Sequence, residues 1–98
     1  MQIVDMRESI ERCTESGWDA YDFLVNEAMD DPFIMSLRQM EGSFLYMKSL
    51  KKPFFKLESD QYVIKGVKGD AYFRVALHRD LVTKLEEIKQ QINQWNAG

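Results

Sequence analysis

The chain has 98 residues, 45% of them hydrophobic and 30% charged, with five glycines and two prolines. That length holds one core rather than two, so residues 1–98 read as a single domain, and the composition excludes a disordered or fibrous class. The net charge of −3 conceals a division: residues 1–47 carry ten acidic and three basic side chains, residues 48–98 six acidic and ten basic. Either the halves pack together and neutralise, which is the simpler arrangement, or the basic half is kept for an anionic partner.

No run approaches the roughly 20 apolar residues that a membrane span needs. Met1-Gln2-Ile3-Val4-Asp5 lacks a basic stretch followed by an apolar one, so neither membrane association nor export is expected. One cysteine, Cys13, and one histidine, His78, make neither an internal disulfide nor a zinc set. No cofactor or metal is expected, and a reducing cytoplasm is the expected location.

Along the chain, Ile3, Met6, Ile10 and Cys13 recur at helical spacing and predict a first helix over about 3–16, ended by Ser16-Gly17. Trp18, Tyr21, Leu24, Val25 and Ala28 repeat the pattern and predict a second over 18–30. Asp30-Asp31-Pro32 is a helix start, with an acid to cap and proline where its missing donor costs nothing. Phe33, Leu37, Met40, Phe44 and Met47 then hold one stripe and predict a third helix over 32–50, in preference to a helix followed by a strand from Ser43, with Gly42 as its weak point.

After Lys51-Lys52-Pro53 the residues turn aromatic and β-branched, predicting strands over 54–58, 62–68 and 71–78. Turns fall at Ser59-Asp60-Gln61 and Gly69-Asp70, and connections this short make an antiparallel three-stranded meander. Leu81, Leu85, Ile88, Ile92 and Trp95 predict a C-terminal helix over 80–95, capped by Asp80. The fold class expected is therefore α+β: N-terminal helices, a small meander, and one closing helix.

Catalytic signatures are weak. Gly66-Val67-Lys68-Gly69 is followed by a strand, not by the helix of a phosphate-binding loop, so Gly66 reads as a bulge and Gly69 as a turn. His78-Arg79-Asp80 matches a protein-kinase triplet, but the chain has no Asp-Phe-Gly and too little length for that fold. Cys13 lies on an apolar stripe and reads as inert. Asp19, Asp22, Glu27, Asp30 and Asp31 do not follow the spacing of a calcium loop and read as a solvated face.

Two surfaces stand out. Phe33, Met35, Met40, Phe44 and Met47 cover more than one side of the third helix and suggest an adaptable interface, with a homodimer as the simplest partner. On the sheet, alternation sets Phe54, Lys56, Lys65, Tyr72 and Arg74 on the face away from the core, the mixture of rings and cations that single-stranded nucleic acid needs. The sequence therefore predicts a non-catalytic protein-interaction or regulatory domain that self-associates through apolar helix surface. The alternative is a single-stranded nucleic-acid-binding domain, and a weaker third reading is a small-molecule site with His78 or Tyr72 supplying polarity.

Overall fold

The computed structural model describes residues 1–9 and 17–97. The chain forms strands β1 (Ile3–Glu8) and β2 (Trp18–Val25), helix α1 (Asp31–Ser36) with a following 3-10 turn (Leu37–Gln39), and strand β3 (Ser43–Met47). Strands β4 (Phe54–Glu58), β5 (Tyr62–Val67) and β6 (Tyr72–His78), a 3-10 turn (Arg79–Leu81) and helix α2 (Lys84–Trp95) complete it. All six strands join one antiparallel sheet in the order β1-β2-β6-β5-β4-β3. The N-terminal hairpin is thus a continuation of the C-terminal meander through β2 and β6.

This corrects the expected arrangement of N-terminal helices beside a three-stranded meander. Residues 3–8, expected to be helical, form an edge strand; residues 10–16 of that expected helix, with Ile10 and Cys13, lie outside the described residues. The register slips between Ile3 and Asp5, so this bulge turns Ile3 and Met6 to the same side, and a spacing of three imitates a helix. Residues 18–25 are a strand in which Tyr21, Phe23 and Val25 alternate toward the core. Period-two alternation, with Phe23 in it, fits these residues better than the helical stripe that omits Phe23.

The expected helix over 32–50 is real only in its first turns. Asp30 accepts a hydrogen bond from the Phe33 amide at 3.0 Å and Pro32 follows in the first turn, as the sequence indicates. The helix tightens into the 3-10 turn and stops before Gly42, whose φ of +133° is a conformation open to glycine. A Cβ there would also lie 2.5 Å from the Glu58 carbonyl oxygen, so Gly42 lets β3 begin tight against β4.

The core lies between one face of the sheet and both helices. Phe73 sits at its centre, its ring 5.4 Å from that of Phe23 and 5.9 Å from that of Phe33. Phe55, Leu57, Ile64, Val75 and Leu77 extend it across the sheet, and Leu85, Ile88 and Ile92 seat α2 on it. Each fully buried side chain of this size contributes about 1.5–3 kcal/mol. Asp80 does not cap α2: the His78 Nδ1 accepts from the Asp80 amide at 3.1 Å and starts the 3-10 turn instead. Gly66 is no bulge either, for it pairs in unbroken register with Phe55 and Phe73.

Among the described residues, no helix is long and apolar enough to cross a membrane.

Candidate binding face

Both helices cover the same side of the sheet, which leaves the other side open. Strand alternation decides what that side carries. Arg7, Asp22, Arg74, Lys65 and Lys56 lie opposite one another in register on five successive strands, with Leu45 next to Lys56 on β3. They form a charged row across the sheet. Two residues along the same strands lie Leu24, Tyr72, Val67, Phe54 and Met47, a row of apolar and aromatic side chains beside the charged one. Two residues the other way, Ala20, Ala76, Val63 and Glu58 form a third row with little side-chain bulk, and Trp18 pairs with His78 beyond it.

The apolar row is accessible: Tyr72 is 43% exposed, Met47 41% and the neighbouring Leu45 51%. A surface hollow of about 240 Å³ opens between the two rows, lined by Phe54, Lys65, Val67, Asp70, Tyr72 and Arg74. Neighbouring strands are about 4.8 Å apart, which sets the Phe54 and Tyr72 positions about 10 Å from each other with Val67 between.

The electrostatics of the charged row are graded. The Arg74 Nε lies 3.6 Å from Asp22 Oδ1, and both side chains are about a quarter exposed. The Lys56 Nζ lies 3.3 Å from Glu58 Oε2 on its own strand. Lys65 is exposed and forms no ion pair among the described residues. Lysine opposite lysine opposite arginine is unfavourable cross-strand pairing, so the row is held by the sheet rather than helping to hold it. Exposed Lys51 and Lys52 follow in the β3–β4 connection, whereas the Lys48 Nζ lies over the Tyr46 ring on the helix side, 5.3 Å from its centroid.

The five residues expected to carry the sheet-face site, Phe54, Lys56, Lys65, Tyr72 and Arg74, are brought together on this one surface. The five expected to form a helical interface are not. Phe33 and Met40 are buried in the core, Met35 is half-buried on α1, Phe44 is half-buried on the helix side of β3, and Met47 is exposed on the open side. The helix that would have aligned them ends before Gly42. The Leu85, Ile88 and Ile92 stripe likewise belongs to the core.

Asp22, Leu24 and Met47 belong to the open face but were not placed there from sequence, because residues 18–25 and 43–47 read as helix; Val67, on a strand that was expected, joins them. The signal available was the alternation of Trp18, Ala20, Asp22 and Leu24 against Tyr21, Phe23 and Val25. The acidic residues of the N-terminal half are dispersed: Asp19 binds Arg79, Asp22 faces Arg74, Asp30 caps α1, and Asp31 binds Tyr46 and Lys68. No buried polar or charged residue lies in the interior among those described, and His78 and Tyr72 stand on the open side, so neither lends polarity to a site beneath the helices. Comparison with protein-family models, with curated proteins and with solved structures finds no match.

Proposed function

We propose that this domain is a non-catalytic binding module whose open sheet face receives single-stranded nucleic acid. Phe54 and Tyr72 stack against bases, while Lys56, Lys65 and Arg74 neutralise phosphates. The observation that carries this reading is the cross-strand register, which lays a row of three cations directly beside a row holding two accessible rings. A polyanion with stackable groups uses both rows. An acidic peptide uses the cations, and an apolar helix uses only the rings.

Carboxylates temper the site, since Asp22 and Glu58 neutralise part of Arg74 and Lys56. Lys65, which has no ion pair among the described residues, and the exposed Lys51 and Lys52 supply the surplus. Binding of moderate affinity and strong salt dependence follows.

The test is fluorescence anisotropy of a labelled, mixed-sequence single-stranded oligonucleotide across a salt series. Three neutralised phosphates give a slope of about −2 in log K against log salt. Lys65→Glu with Lys56→Glu should abolish most of that dependence, and Tyr72→Ala should weaken binding about tenfold at every salt concentration, the scale of one lost base stack. Absence of binding at low salt, or equal binding by the charge-reversed variant, rejects the reading. Affinity that is unchanged by Tyr72→Ala and Phe54→Ala while its salt dependence persists points to an acidic peptide instead.

A further inference from the structure

The two edges of the sheet are treated differently. At β1 the ladder is interrupted by the bulge between Ile3 and Asp5, and Asp5 and Arg7 form a charged pair on the strand. Asn93 of α2 also occupies the rim, its Oδ1 accepting from the Ile3 amide at 2.7 Å and its Nδ2 donating to the Ile3 carbonyl at 3.1 Å. Bulge, charge and a covering side chain are the devices by which an edge is kept from pairing with another chain.

None of them is present at β3. Ser43-Phe44-Leu45-Tyr46-Met47 has no charge and no proline, and it pairs with β4 residue for residue without a bulge. Among the described residues its backbone makes no hydrogen bond beyond that ladder. Phe44 and Tyr46 line its helix side and Leu45 and Met47 its open side, so the exposed rim is apolar above and below. An edge strand of this kind is a template for a further strand.

We propose that β3 pairs with β3 of a second copy of this chain, antiparallel about a two-fold axis through Leu45. Two six-stranded sheets then continue as one. The inference stands independently of what the open face binds.

The sequence around β3 is self-complementary in this arrangement and in no parallel one. Pairing about Leu45 sets Phe44 opposite Tyr46 of the partner subunit on the helix side, and Leu45 opposite its own copy on the open side. Beyond the strand, the Lys48 Nζ lies over its own Tyr46 ring, 5.3 Å from the centroid, so the rim meets its copy without a charge between them. Parallel pairing of the same two rims would turn one sheet over, with its helices on the other side. Slipping the register by one residue would turn one sheet over, with its helices on the wrong side. Once β3 is used, both outer edges of the joined sheet are guarded β1 strands. The assembly closes at two copies.

Sedimentation equilibrium across the micromolar range tests this. The expected species is a dimer with no larger oligomer. Leu45→Lys, at an exposed side chain, should give a monomer that keeps the wild-type circular dichroism spectrum but loses the dimer's concentration-dependent gain in thermal midpoint. In a Cys13→Ser background, Leu45→Cys should form a disulfide-linked dimer on mild oxidation, because the two Cβ atoms face each other. A wild-type monomer at every concentration overturns the proposal. So does a dimer that tolerates Leu45→Lys, or a Leu45→Cys dimer that stays unlinked on oxidation.

Discussion

Gly66 stands where two rings leave no room for a side chain. A Cβ at this position would lie 2.5 and 2.6 Å from the Phe55 ring carbons Cζ and Cε1 and 3.0 Å from Phe73 Cβ. The glycine therefore serves packing, since it allows Phe55 to cross over β5 into the core. Gly66→Ala forces a fully buried ring off its rotamer, and the expected cost is about 1–3 kcal/mol. Chemical denaturation would register this as a lower midpoint with an unchanged slope; an unaltered midpoint would show that the ring has room to move. Sequence alone marked Gly66 as exceptional but misread the reason as a bulge, because no local pattern reveals which cross-strand neighbour needs the space. Phe23 was lost for a related reason, since it fell outside the helical stripe assigned to residues 18–30.

At the scale of elements, the strands from Phe54 onward were legible because β-branched and aromatic residues alternate there between clear turns. The N-terminal half was misread because two irregularities imitate helical spacing. The bulge in β1 places Ile3 and Met6 on one side, and the stripe from Phe33 to Met47 is a short helix followed by an unrelated strand. Gly42 was the visible warning. A tie between α1 and β3 closes that junction: the Tyr46 hydroxyl donates to Asp31 Oδ1 at 2.5 Å, and Lys68 reaches the same oxygen at 3.3 Å.

That tie has a pH signature. Burial, and then the hydrogen bond to Asp31 and its charge, push the Tyr46 phenol from 10.0 up to about 12. The folded state holds this proton where the unfolded chain has released it, so the contribution is complete below pH 10.0 and is lost as pH rises toward about 12. Tyr46→Phe should cost about 1 kcal/mol at neutral pH for the lost hydrogen bond. In unfolding titrations its stability should fall less steeply than the wild type's over that alkaline window. Parallel curves would mean that the phenol is not held by Asp31.

Over the whole molecule, the division of charge along the sequence becomes a division across the sheet. The acid-rich strands β1 and β2 lie toward one edge, and β5, β4 and the lysines between β3 and β4 lie toward the other. Among the described residues, three ion pairs join the halves: Arg79 with Asp19, Arg74 with Asp22, and Lys68 with Asp31. Neutralisation is thus local, and Lys51, Lys52 and Lys65 stay exposed on the surface. The composition showed the asymmetry, but only strand order reveals that it forms two edges. The residues of the candidate face were legible from the alternation of three strands, whereas its extension onto β2 and β3 depended on knowing that those segments are strands.

The central claim is that the open face is the working surface, and amide chemical-shift mapping tests it most directly. With a single-stranded oligonucleotide added at low salt, the account predicts shifts concentrated on β4, β5 and β6 at Phe54, Lys56, Lys65, Tyr72 and Arg74. Residues of α2 should stay unmoved, and the shifts should disappear as salt is raised. Shifts confined to the helix side, or none at any salt, would contradict it.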